Sequence, residues 1–181
     1  MNADPDPARS LEIDLAEPCA AWREHLPDAA ALCIAAARRA FEAVTLRPAG
    51  AAELSIVLGD DLLVRSLNRQ WRGKDRATNV LSFSALDEEL PPGAPLLLGD
   101  VVLAYETIAR EAAEQGKPLA DHLQHLVVHG TLHLLGFDHE EAEAAARMEA
   151  LETGVLSGLG VADPYGTADS ADPPRREATN G

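Results

Sequence analysis

Cysteine is scarce in this chain: Cys19 and Cys33 are the only two. A disulfide-built scaffold needs more, so both are expected as reduced thiols. Aromatic residues make up 4% of the sequence, which leaves leucine, valine, alanine and isoleucine to build the core. No apolar run approaches the roughly 20 residues that cross a bilayer. The first residues, MNADPDPARS, show no basic segment followed by an apolar one. No secretory signal is therefore expected, the cytoplasm is the expected compartment, and no membrane partner is foreseen. Bases are in deficit: 15 Lys and Arg against 30 Asp and Glu give a net charge of -15 over 181 residues. Taken whole, that excess opposes a polyanionic partner. Its distribution weakens the objection. Residues 28–137 carry fourteen acids and ten bases, and most of the surplus lies in 1–27 and 138–181.

Against these absences, 46% of the residues are hydrophobic, enough to fold one domain with a real core. Alternation marks a short strand at SLEIDLAE; AELSIVLGD and LLLGDVVLA also read as strands, as does TNVLSFSAL with Val80 and Leu81 in an apolar run. Helical spacing marks 28–44, a segment opened by Asp60 and closed by Gly73, then 105–115, 119–135 and 140–156. The expectation is a single α+β domain over 11–161, a small mixed four-stranded sheet packed with about five helices. Residues 1–10 are expected to be a flexible N-terminus. Residues 162–181, rich in Asp, Pro, Gly and Ser, are expected to form a disordered acidic tail.

Three of the six histidines fall within HGTLHLLGFDHE. His129 and His133 are four apart, which puts them on one helix face. Gly136 breaks the helix, since glycine readily takes the left-handed conformation of a C-terminal turn. The turn brings His139 back toward the pair. Three imidazoles make a metal site on a late helix and its following turn, with a fourth position left open, the pattern of a catalytic rather than a structural zinc. One Zn2+ per chain is expected. A closed structural site would need a further ligand, such as Asp100, Asp138 or a cysteine. The ligand spacing matches the extended zinc-protease motif, but Gly130 stands where those enzymes carry their general base. Glycine cannot take a proton, so peptide hydrolysis by that route is disfavoured. His122 and His125 lack a downstream glycine and third histidine, and are read as helix-surface or supporting residues. Asp138 is either a carboxylate orienting His139 or a turn aspartate. Asp100 is a candidate to face the site from its strand.

The second unusual stretch is SLNRQWRGKDRATNVLSF. From Arg65, which precedes it, to Arg76 lie five bases and one acid, Asp75. Arginine grips phosphate with a bidentate fork and lysine acts as a point charge. Gly73 beside Arg72 suggests a turn that presents that side chain. Arg69, Lys74 and Arg76 are candidate phosphate contacts, and Trp71 is a candidate stacking platform for a base.

Together, LNRQWRGKDRATNVLSF, LLLGDVVLA and HLVVHGTLHLLGFDHEE resemble the YbeY family of bacterial metal-dependent endoribonucleases. The resemblance spans about 56–148 in the family's order. It implies His129, His133 and His139 as zinc ligands and Arg72 as the functionally important arginine. The missing glutamate at Gly130 is itself a family trait. Trp71 replaces the family's usual tyrosine, and Ser84-Ala85 stands where Phe-Pro is common. The resemblance further implies cleavage in ribosomal RNA processing, including late small-subunit 3′-end maturation, and ribosome quality control; because a small open site takes a flexible backbone more easily than a closed duplex, the cleavage is expected to be single-strand-specific. The implied partners are ribosomal RNA, the small subunit and a small-subunit ribosomal protein. Two other readings compete. One is a zinc hydrolase of another class, with a substitute base such as Glu140. The other is a ribosome-assembly factor whose zinc is structural.

Overall fold

A computed structural model describes residues 9–44, 50–86 and 89–166. Four strands form one mixed sheet in the order β1-β2-β4-β3. They are β1 (Ser10–Ala16), β2 (Ala51–Gly59), β3 (Val80–Ser84) and β4 (Leu96–Ala104). β1 runs parallel to β2 and β2 to β4, whereas β3 is antiparallel to β4. Burial in β2 alternates with period two: Ala52, Leu54, Ile56 and Leu58 are buried while the residues between them are not fully so.

The helices are α1 (Ala20–His25), α2 (Ala29–Ala43), α3 (Asp61–Arg72), α4 (Tyr105–Glu114), α5 (Leu119–Leu134) and α6 (Ala142–Gly158). Among the described residues there are six, one more than expected. The extra one, α1, has six residues and buries only Trp22, too short for any apolar period to show. Trp22 fixes it by donating Nε1–H to the Gly59 carbonyl at 3.0 Å. Helices α2, α5 and α6 pack together, and α5 lies against β3 and β4. Their apolar side chains join those of β2 and β4 in the main core. On the other face, α3 sets Val64 against Leu81, Val102 and Ala104 in a second, smaller core. Val101 to Ala104 are all buried, because this end of β4 has helices on both sides.

Local signals fixed the helix that presents Arg72. Asp60 caps α3 through Oδ1, which accepts from Leu63 N–H at 2.8 Å. Gly73 ends it at φ 68°. Cys19 and Cys33 are free thiols, and burial, with Glu17 adding to it, pushes Cys33 up to about 12. No helix among the described residues is long and apolar enough to cross a membrane.

Two boundaries differ from expectation. Ser10, counted in the flexible N-terminus 1–10, is the first residue of β1, where the strand read at SLEIDLAE begins; residues 1–8 lie outside the described residues. Residues 162–166, placed in the tail, fold back along the domain. Tyr165 packs edge-on against His125 at 5.6 Å between ring centres and donates its hydroxyl to Glu152. One aromatic with a buried acceptor outweighs the polar composition around it. The rest of the tail, 167–181, lies outside the described residues.

Candidate metal centre and cleft

His129 and His133 project from successive turns of α5, with ring centres 4.6 Å apart. Gly136, at φ 96°, turns the chain, and Phe137 N–H closes the helix end on the Leu132 carbonyl at 3.1 Å. The turn returns His139 to 4.9 Å from His133 and 5.7 Å from His129, ring centre to ring centre. One nitrogen from each ring lies within 4.8 Å of the others. Side-chain rotation alone can bring such a set around one ion at the roughly 2 Å bonds of zinc to imidazole. Burial, with His129 and His139 close by, lowers the pKa of His133, so it is neutral and able to ligate at pH 7. The donor set fits a divalent metal.

A carboxylate that sequence reasoning missed stands behind these ligands. Glu152 on α6 is 0% exposed. Its Oε1 accepts from His129 Nδ1. Its Oε2 accepts from the Tyr165 hydroxyl and from His125 Nε2, the latter at 3.4 Å. Burial works to raise Glu152, but hydrogen bonds from His125, His129 and Tyr165 outweigh it and hold the group at about 2. With Nδ1 engaged, His129 is left with Nε2 for an ion, the usual arrangement for a ligating imidazole. His125 is thus a supporting residue. His122, read as a surface or supporting residue, is 4% exposed and shares a hydrogen bond with Glu111 at 2.8 Å. Burial lowers its pKa despite Glu111, so at pH 7 the imidazole is uncharged and the contact is a hydrogen bond rather than an ion pair.

The three histidines open into a cleft of about 550 Å³ whose other walls include Arg72, Asn79, Ser82, Asp138 and Glu140. A groove of about 300 Å³ adjoins it, sharing Arg72 and Asn79 and lined also by Lys74 and Arg76. Arg69 and Trp71 line neither hollow. Trp71 is 67% exposed and leans toward Phe83, with ring centres 6.5 Å apart. Asp138 has the turn role: its Oδ1 accepts from Glu140 N–H at 2.8 Å.

Asp100 does not face the histidines. It lines a separate hollow with Glu12, Asp14 and Glu53. Val101, its neighbour, points at α5, so alternation sends Asp100 to the opposite face of the sheet.

The same contact explains Gly130. A Cβ there would meet Ser82 Oγ at 3.0 Å and the two Val101 methyls at 3.1 and 3.3 Å. The helix lies too close to β3 and β4 for a glutamate. We expect Gly130→Glu to lower the melting temperature by an amount equivalent to about 1–3 kcal/mol, the usual cost of overpacking, and to produce no peptidase activity. Thermal melting beside a peptide-hydrolysis assay checks both.

Comparison with known proteins agrees with this architecture. A family model described as "Endoribonuclease YbeY" matches residues 25–160. The Endoribonuclease YbeY of Paramagnetospirillum magneticum is 61% identical over 160 residues, covering 87% of this chain and 97% of its own. That of Rhodospirillum rubrum is 51% identical, covering 87% and 82%, and that of Azorhizobium caulinodans is 53% identical, covering 86% and 96%. The solution structure of a Thermotoga maritima protein superposes with a TM-score of 0.50 at 21% identity, over 87% of this chain and all of that one, a likeness of fold. With the match running through α3, β4, α5 and α6, the chain belongs to the YbeY endoribonuclease family.

Proposed function

We propose that the protein is a zinc-dependent endoribonuclease that cuts single-stranded RNA and acts in ribosomal RNA processing. The observation that carries the reading is the cleft in which three histidines able to share one ion face Arg72. A bound divalent ion supplies Lewis acidity toward a phosphoryl oxygen. Arg72, on the last turn of α3, offers the fork that neutralises charge developing on a phosphodiester. Glu152 holds His129 in one tautomer. The cleft is open, which suits a flexible backbone better than a closed duplex. Family membership supports ribosomal RNA as the substrate, with 3′-end maturation of the small-subunit RNA and ribosome quality control as the cellular setting. The overall negative charge favours help from a docking partner, and the small subunit with one of its proteins fits that need. The cytoplasm is the matching compartment.

The test pairs the parent with Arg72→Ala at equal zinc content. We expect the variant to lose roughly 10²–10³-fold in kcat on an unpaired RNA, as for other groups that stabilise developing negative charge. An unchanged rate would remove Arg72 from the reaction. Equal cleavage of a hairpin stem and an unpaired strand would overturn single-strand specificity.

A further inference from the structure

The groove beside the cleft lies between residues 73–79 and α4, and four bases reach it: Arg72, Lys74, Arg76 and Arg110. Arg110 comes from α4, thirty-four positions after Arg76, and forms no part of the basic island read in the sequence. None of the four pairs with a carboxylate among the described residues. In a chain of net charge -15 that is an unusual concentration of unused positive charge.

The two acids nearby are both engaged by other partners. Asp75 is gripped by Arg65 through two hydrogen bonds, at 2.9 and 3.2 Å, and does not line the groove. Glu111 does line it, but one oxygen is 2.8 Å from His122 Nε2 and both lie 3.1–3.3 Å from Asn79 Nδ2. The backbone that carries Lys74 and Arg76 is pinned. Asn68, 2% exposed, donates its side-chain amide to the Arg76 carbonyl at 2.9 Å. Lys74 N–H closes on the Asn68 carbonyl at 3.2 Å. The cradle is therefore set before any ligand arrives, which lowers the ordering cost of binding.

We infer that this groove is a second phosphate subsite, built by Lys74, Arg76 and Arg110, which holds the RNA backbone next to the phosphate that faces Arg72. The inference rests on the endoribonuclease reading for its substrate. Because Arg72 and Asn79 wall both hollows, a strand leaving the metal cleft passes directly into the groove. The strand then runs between the end of α3 and the outer side of α4. Contacts to phosphate give position and affinity without reading sequence.

The test measures binding of a fluorescent single-stranded oligoribonucleotide to the zinc-loaded protein over a range of salt, with cleavage followed separately. Arg110→Ala is compared with the parent and with Arg38→Ala, an exposed base on α2 that lines neither hollow. We expect Arg110→Ala to weaken binding roughly tenfold, the value of one charge-assisted hydrogen bond. Its slope of log affinity against log salt should fall by about 0.7, the loss of one single-strand phosphate contact. KM should rise with kcat and zinc content unchanged, and Arg38→Ala should match the parent. If Arg110→Ala binds like the parent, or if Arg38→Ala weakens binding equally, the subsite is overturned while cleavage by the parent keeps the enzymatic reading intact. If the parent binds RNA through Arg110 but does not cut it, the subsite stands and the enzymatic reading falls. Displacement of the RNA by low-millimolar inorganic phosphate at fixed ionic strength would mark a free-anion site and overturn the assignment.

Discussion

His133→Ala is expected to abolish both stoichiometric zinc and RNA cleavage while leaving the fold standing. His133 is the middle member of the trio, its ring 4.6 Å from that of His129 and 4.9 Å from that of His139. Without it, two imidazoles remain, too few for a stable site of this kind. The fold does not depend on the ion, because the main core runs through Leu123, Val127, Leu132 and Leu134 of the same helix and is closed without it. A ligand that binds only the folded state stabilises it by about 2.7 kcal/mol at a hundredfold excess over Kd. The parent should therefore melt higher with zinc than with chelator. The variant should show no such shift and should melt within about 1 kcal/mol of the metal-free parent. Metal analysis, melting curves and a cleavage assay give the three readouts. A metal-free parent that is already unfolded would make the zinc structural and favour an assembly role over catalysis.

The convergence of the three histidines was legible because its signal is local. Two histidines one turn apart, a glycine that can turn left-handed and a third histidine lie within eleven residues. The placement of Arg72 was legible for the same reason, at a helix end that Asp60 and Gly73 bracket. What stayed hidden came from distant chain. Glu152 is one of several acids on α6, and nothing nearby distinguishes it from Glu143 or Glu149, which are exposed. Only the docking of α6 on α5 decides which carboxylate meets His129. Arg110 is a single base on α4 and becomes meaningful only beside the loop at 73–79. Asp100 was assigned to the wrong face because β4 is apolar almost throughout, and a run buried on both sides hides its own alternation. Gly130 was read correctly as lacking a proton acceptor. That a side chain there would press on Ser82 and Val101 is a fact of packing, which spacing cannot show.

Glu152→Gln should weaken zinc binding roughly 10–100-fold, the usual loss when a carboxylate behind a ligating histidine is removed. The glutamine amide has one oxygen where the carboxylate had two, and three donors converge on that group: His129 Nδ1, His125 Nε2 and the Tyr165 hydroxyl. One amide cannot accept all three without turning its own donors toward them. Glu152→Ala goes further, emptying a fully buried position and stranding the same donors, and should cost about 3–5 kcal/mol of stability. The metal-free protein should also carry the signature of this group in its pH dependence. A carboxyl held at about 2 in the fold, against 4.5 for an ordinary glutamate, favours the folded state wherever it is ionised. Its contribution is complete above pH 4.5 and is lost as pH falls toward 2. The shift corresponds to about 3 kcal/mol. Urea unfolding of the metal-free parent should therefore lose about that much more stability between pH 5 and pH 2 than Glu152→Gln, whose amide does not titrate. Zinc competition with a chromophoric chelator reads the other half. If Glu152→Gln holds zinc as tightly as the parent, the carboxylate does not orient His129, and its buried charge serves only to dock the 162–166 segment through Tyr165.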